Sequence, residues 1–285
     1  MSRWAWCNGR LCAEGELYVP VRDGAVLYGA SLFETLRCYN GHPFRLEQHL
    51  QRLRRWLERL RLFRHAREEV ELRTPVIRQA IASVLEANGW LQGDVRVRLT
   101  VTAGSEKGTP LCFLLAERIP PEQVAQWRSG VTAALLPDPR SVQGEQPKWG
   151  NYAWHLEAQQ LAREQGADEA IWFNGRGYLT EGALSNVFVW HEECLLTPPV
   201  EEGILAGVAR QVVLEIAPQM GIECREEPIP IDLLPHVQAI FLTNSVREVV
   251  PVTRLGQRHF RTHPVVTSLQ EAYRQQVQRE VEASQ

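Results

Sequence analysis

"KWGNYAWHLEAQQLAREQGADEAIWFNGRGYLTEGALSNVFVW", residues 148–190, decides how this chain is read. It opens on Lys148, and lysine is scarce here. Of 31 lysines and arginines, only Lys107 and Lys148 are lysine. Arginine can hold a positive charge anywhere, but its guanidinium stays protonated. A desolvated primary amine can lose its proton and act as nucleophile or base. "NYAWHLEAQQLAREQG" predicts a helix with Lys148 at its mouth and Gly166 at its end. "DEAIWFNGRGYLTEGALSNVFVW" predicts strand, turn and strand about Asn174–Gly177. Glu181 falls where the second strand leaves that turn. A carboxylate there suits a plain turn, or a partly buried contact with a cationic ring nitrogen that neighbours such as Asn186 would fix.

Upstream of Lys148 lie a strand, "VTAALLP", and a loop rich in Pro and Gly. Downstream, "GILAGVARQVVLEIAPQMG" predicts a helix with a glycine-rich lead-in. Helix N-termini present unpaired N–H groups and receive phosphate well. "FLTNSVREVVPV" places a polar turn, Thr243-Asn244-Ser245, directly after an apolar strand. A terminal helix closes the chain. In the first third, "AVLYGASLFETLRCYNG" predicts strands and a hairpin at Asn40-Gly41. Leu46, Leu50, Leu53, Leu57 and Leu60 recur at helical spacing and predict an amphipathic helix over 46–62. A second helix is expected over 74–88, with Pro75 in its first turn. "DVRVRLTVTAG" alternates as a strand does, and a strand puts Arg96 and Arg98 on one face. The polar, Pro-led "PPEQVAQWRSG" reads as a linker. The expectation is an α+β chain of two domains: 1–120, a linker over 121–130, and 131–285.

The composition is that of a globular protein, 44% hydrophobic and 23% charged over 285 residues. A net charge of −3 offers no global basic field for nucleic acid. No apolar run approaches the ~20 residues that span a bilayer, and the N-terminus lacks a signal-peptide core. Six scattered cysteines in a chain of this size read as reduced thiols, so a cytoplasmic protein is expected. His191 and Cys194 have a metal-like spacing, but no second ligand pair accompanies them, and no metal is expected.

Four ordered blocks, "VRDGAVLYGASLFETLRCYNGHPFRLEQHLQRL", the 148–190 stretch, "LLTPPVEEGILAGVARQVV" and "FLTNSVREVVPV", resemble the class IV (fold type IV) pyridoxal-phosphate enzymes. That group contains branched-chain and D-amino acid aminotransferases and aminodeoxychorismate lyases. The resemblance implies a small N-terminal α/β sandwich-like domain, a larger C-terminal domain, and pyridoxal 5'-phosphate at the domain interface. It implies that Lys148 carries the cofactor covalently and moves the proton. Glu181, with Asn186 beside it, matches the carboxylate that keeps the pyridine ring cationic. Arg52 matches the arginine that grips the phosphate, and Gly207, Val208 and Ala209 the helix start beneath it. Asn244 and Ser245 match the second phosphate-side turn, and Tyr152 the tyrosine near the cofactor's phenolic oxygen. The sequence departs from the family pattern at Gly24, where an arginine is common, and at Ala30, where an acid is usual.

Within the family the details resemble the lyases. The Arg-x-His carboxylate trap of D-amino acid aminotransferases is absent; Gly108 and Pro110 stand there. The "KWGN" spacing resembles the lyases and the D-amino acid enzymes alike, and Asn244 and "VRVRLTVTAG" resemble the lyases. Arg96 and Arg98 would offer two cations to a substrate with two carboxylates, or would pair with surface acids. The resemblance therefore implies a lyase converting 4-amino-4-deoxychorismate into 4-aminobenzoate and pyruvate, for folate synthesis, in a homodimer. The alternatives are a branched-chain or D-amino acid-type aminotransferase using 2-oxoglutarate, and a non-catalytic cofactor-binding dimer. The partner expected is a small amino substrate, with neither nucleic acid nor membrane.

Overall fold

The computed structural model describes residues 3–105, 108–142 and 144–283. Lys107, read as a solvated amine in a turn, lies outside the described residues. The chain forms two compact units. One comprises residues up to Pro121, with Pro147–Tyr152 and the end of the chain from Glu280; the other comprises Glu122–Gln146 and Ala153–Arg279.

The first unit is a six-stranded antiparallel sheet with helices. In chain order it runs β1 (Trp4–Cys7), β2 (Arg10–Ala13), α1 (Gly24–Tyr28), β3 (Ser31–Tyr39), β4 (His42–Pro43), α2 (Leu46–Arg59), α3 (Arg64–Glu69), α4 (Thr74–Ala87), β5 (Asp94–Thr102) and β6 (Cys112–Ile119). The strand order is β2-β1-β6-β5-β3-β4. The leucine stripe of α2 is buried as its spacing requires, with Leu46, Leu50, Leu53 and Leu57 in one core with Ile77, Ile81 and Leu85 of α4. On β5, Val95, Val97 and Leu99 turn into that core and Arg96 turns out. "AVLY", expected as strand, is instead the short helix α1, because Asp23 caps it by accepting from the Ala25 N–H at 2.8 Å.

The second unit holds α5 (Pro121–Ser129), β7 (Val131–Leu135), α6 (Ala153–Glu164), β8 (Glu169–Phe173), β9 (Leu179–Gly182), β10 (Asn186–His191), β11 (Cys194–Thr197), α7 (Val208–Gln219), β12 (Glu223–Glu226), β13 (Ala239–Asn244), β14 (Glu248–Leu255), β15 (Arg258–His259) and α8 (Pro264–Glu282), whose last turn belongs to the first unit. Its mixed nine-stranded sheet runs β12-β11-β10-β13-β14-β7-β8-β9, with β15 on β14. A further pairing of β9 with β10, Glu181 opposite Asn186, closes the path on itself. Ala158 and Ala162 let α6 lie close to Ala170 and Trp172 of β8. The fold class is α+β, as expected.

Two segments take a form that local pattern did not show. The segment read as a linker is helix α5, because its proline stands at the helix start and Val124 is buried. Lys148 is not at a helix mouth: α6 begins five residues later, at Ala153. Residues 148–150 instead run beside β3 in the first unit. The Phe33 N–H donates to the Lys148 carbonyl at 3.0 Å, and the Gly150 N–H donates to the Ser31 carbonyl at 2.6 Å. A Cβ at Gly150 would lie 1.7 Å from Ser31 Oγ, so a larger residue there would have to displace the serine hydroxyl. All six cysteines are free thiols. No described helix is long and apolar enough to cross a membrane.

Candidate active site

The expected site residues fall into clusters within each unit. In the first, Phe33 of β3 organises three of them. The Lys148 Nζ lies 4.7 Å from the Phe33 ring centroid. Tyr152 meets the same ring edge-on at 5.3 Å, and the Arg98 guanidinium carbon stands 3.5 Å from its centroid. Cations favour the negative face of an aromatic ring. Arg98 Nε also donates to Thr100 Oγ1 at 3.3 Å. Burial lowers its pKa from the ordinary arginine value, and among the described residues it has no acidic partner. Arg96, two residues away, is exposed and pairs with Glu117, its cross-strand neighbour on β6.

Arg52, on α2, is buried against Glu34 of β3. Its Nε and Nη2 donate to the two Glu34 oxygens at 2.9 and 2.6 Å. His49, one helical turn earlier, faces Glu34 Oε2 through Nδ1 at 2.7 Å. Burial pushes the Glu34 carboxyl up, but the Arg52 charge and the hydrogen bonds from His49 and Arg52 outweigh it and hold the group at about 2. Burial also pushes His49 down, so its ring is neutral at pH 7 and Nδ1 carries the proton given to Glu34. Arg52 is therefore held in one orientation by a fully ionised carboxylate.

In the second unit, Glu181 is buried at the end of β9. Its Oε1 accepts from Arg140 Nη1 at 2.7 Å and its Oε2 from the Leu205 N–H at 2.8 Å. The Arg140 guanidinium lies over the Trp172 ring. Each carboxylate oxygen has two lone-pair directions, so Glu181 keeps acceptor capacity for a further N–H. Asn186 lies opposite Glu181 and donates from Nδ2 to the Leu205 carbonyl at 2.8 Å. Gly207, Val208 and Ala209 form the start of α7, where no side chain caps the helix. A Cβ at Gly207 would lie 1.9 Å from Asn186 Oδ1, so a larger residue there would have to displace the Asn186 amide. Asn244 is committed to its own turn. Its Oδ1 accepts from the N–H groups of Val246 and Arg247 at 3.0 and 2.8 Å, and its Nδ2 donates to the Leu184 carbonyl at 3.1 Å. Ser245 sits half-buried at the tip of that turn.

The structure thus groups Lys148, Tyr152 and Arg98 in one unit. It groups Glu181 with Asn186 and the approach to α7 in the other, and sets Arg96 apart on the surface. Sequence reading missed Arg140, Glu34, His49 and Phe33. Arg140 carries no local signal beyond following a strand in a Pro-rich loop, and its partner is 41 residues away. Glu34 and His49 stand in the first resemblance block, where an acid in an apolar strand, six residues before the Asn40-Gly41 turn, could have prompted a search for its cation. No group of three His, Cys, Asp or Glu among the described residues could hold a metal.

The donor set fits a phosphorylated pyridine aldehyde. Within the second unit, a buried carboxylate with acceptor capacity to spare and an uncapped helix start with glycine at its entrance are groups such a ligand can use. The buried hydroxyls of Ser185, in the turn before Asn186, and of Thr243, on β13 beside Asn244, also lack any partner among the described residues.

Known proteins agree. The family described as Amino-transferase class IV matches residues 31–255. Aminodeoxychorismate lyase from Bacillus subtilis is 30% identical over 288 residues, covering 95% of this chain and 94% of that protein. The branched-chain aminotransferase of Thermoproteus uzoniensis, solved with norvaline, superposes with a TM-score of 0.86 at 28% identity over 97% of this chain and 95% of that one. The pyridoxal-phosphate-bound form of a hypothetical aminotransferase from Mycobacterium tuberculosis gives 0.84 at 25% identity, over 96% and 98% of the two chains. A match of this extent, to fold type IV structures and across both units, places the chain in the class IV amino-transferase family, as an enzyme whose cofactor is pyridoxal phosphate.

Proposed function

We propose that this enzyme is a 4-amino-4-deoxychorismate lyase, forming 4-aminobenzoate and releasing pyruvate for folate synthesis in the cytoplasm. Arg98 carries the reading of a carboxylate-bearing substrate: it is a half-buried guanidinium without an acidic partner among the described residues, against the ring that also takes Lys148. Such a cation awaits a carboxylate from the substrate. Likeness to the Bacillus subtilis lyase, together with Asn244 in its turn, favours a lyase substrate. A branched-chain or D-amino acid-type aminotransferase is the second reading, favoured by the superposition on the Thermoproteus uzoniensis enzyme.

Pyridoxal phosphate, when bound, supplies the electron sink that lets a proton leave the carbon bearing the substrate's amino group. In this reading the Lys148 amine holds the cofactor and, once released, moves that proton. Glu181, fixed by Arg140 and the Leu205 N–H, keeps the ring nitrogen protonated. Arg52, the α7 start and the Asn244-Ser245 turn hold the phosphate, and Tyr152 lies by the phenolic oxygen. Arg98 takes one substrate carboxylate. Arg96 takes the second by leaving Glu117, an exposed pair worth no more than about 1 kcal/mol.

Assaying 4-aminobenzoate formation beside amino transfer to 2-oxoglutarate tests the reading; transfer without 4-aminobenzoate overturns it. Each charge-assisted contact is worth roughly 1.5–3 kcal/mol. Arg98→Met should therefore lower kcat/KM for both reactions by about ten- to a hundredfold. Arg96→Met should lower only the lyase reaction, by roughly tenfold. An unchanged lyase rate in Arg96→Met removes Arg96 from the site.

A homodimer belongs to the same proposal. Tyr18, Val21 and Tyr28 in the first unit and Trp154 and Leu156 in the second are large apolar side chains left exposed, and two-fold pairs are the commonest oligomers. Sedimentation at micromolar concentration should give about twice 32.5 kDa. An active monomer contradicts this.

A further inference from the structure

Glu169 is fully buried at the start of β8, a costly place for a carboxylate unless donors surround it. Its neighbour Asp168 points outward and binds Thr132. Three donors converge on Glu169. Oε1 accepts from Gln159 Nε2 at 2.7 Å and from the Leu184 N–H at 3.0 Å, and Oε2 accepts from Arg247 Nη1 at 3.0 Å. Leu184 lies in the turn between Glu181 and Asn186, and Arg247 ends the turn that begins at Asn244. These two turns are also tied directly, through Asn244 Nδ2 and the Leu184 carbonyl, while the Arg247 N–H donates to Asn244 Oδ1. The contacts form a closed circuit: Glu169, Leu184, Asn244, Arg247 and back to Glu169. Arg247 is further held against the Trp127 ring. The gap beside the circuit, lined by Ser185, Thr243, Leu242 and Val250, is too small to admit water.

We propose that Glu169 is a positioning residue, a buried clip that joins the 182–186 turn to the 244–247 turn and so keeps Glu181 and Asn186 in register with Asn244 and Ser245. The proposal rests on the reading of both turns as cofactor-side elements. Burial pushes the Glu169 carboxyl up to about 7 against the opposing pull of Arg247, the Leu184 N–H and Gln159, so its ionised form depends on those donors. Gln159 ties the clip to α6 as well.

The test is spectroscopic titration of apoenzyme with pyridoxal phosphate, with the melting temperature of each apoenzyme measured alongside. Glu169→Gln cannot accept from both Leu184 and Arg247, and Arg247→Met removes the cation from Glu169 at a partly exposed position, so the melting temperature of each is read together with its Kd. Each should raise the cofactor Kd at 25 °C roughly tenfold, and the double variant no further than the weaker single one, since the residues act as one unit. A clip that only stabilises the fold would lower the melting temperature and leave Kd unchanged; that result overturns the proposal. Asn244→Ala separates the two levels. If it weakens cofactor binding while Glu169→Gln and Arg247→Met do not, the clip alone fails. If all three bind cofactor as the parent does, the reading of the turns fails and the clip with it.

Discussion

Lys148→Ala should abolish turnover, lowering kcat by at least about a thousandfold, as expected when a single group supplies both covalent attachment and proton transfer. The parent enzyme should be yellow, and borohydride should bleach it. Peptide mass analysis should then place the pyridoxyl group on Lys148. The chain offers one other lysine, Lys107, so the experiment has two side-chain outcomes. An adduct on Lys107 would remove the central assignment. The surroundings of Lys148 favour it: a half-buried amine against the faces of Phe33 and Tyr152, on a segment whose backbone is bonded to β3.

The second large effect is expected at Glu181. Glu181→Gln should lower kcat by about a hundredfold or more at saturating cofactor, with the cofactor Kd changed only a few-fold. The substitution keeps the size of the side chain but removes the charge proposed to hold a proton on the ring nitrogen. It also has a cost that its sequence neighbours do not foretell. Both Glu181 oxygens already accept, from Arg140 and from the Leu205 N–H. A glutamine must turn its NH2 toward one of these donors, which should cost about 1–3 kcal/mol of stability. The melting temperature should therefore fall with kcat. Arg140→Met should reproduce part of the kcat loss by freeing the carboxylate to turn. Near-parental activity in Glu181→Gln would show that the ring nitrogen has another partner.

Much of the architecture was legible because it is written in short-range pattern. The leucines of α2 recur with the period of a helix, and β5 alternates with the period of a strand, so each element announces its own buried face. The scarcity of lysine singled out Lys148, and four ordered blocks carried the family. What local pattern left open was which partners each side chain would meet. Arg96 and Arg98 share a face of β5, as alternation requires. The antiparallel register then sets Arg96 opposite Glu117 and Arg98 opposite Leu115, and the Phe33 ring lies against Arg98. One arginine is paired at the surface and the other has no acidic partner among the described residues, although their sequence surroundings are nearly alike. The short helix α1 and the extended run at 148–150 also escaped a local reading. The first depends on an Asp23 cap, and the second on backbone bonds to a strand more than a hundred residues earlier. The ion pairs of Glu34 with Arg52, Glu181 with Arg140 and Glu169 with Arg247 span 18, 41 and 78 residues. By itself, then, the sequence determined the elements, their buried faces and the residue types available for chemistry, since these follow from propensity and period. Only the tertiary structure decided which charge lies against which, because burial makes an unpartnered charge expensive and strand register and loop closure choose the partner.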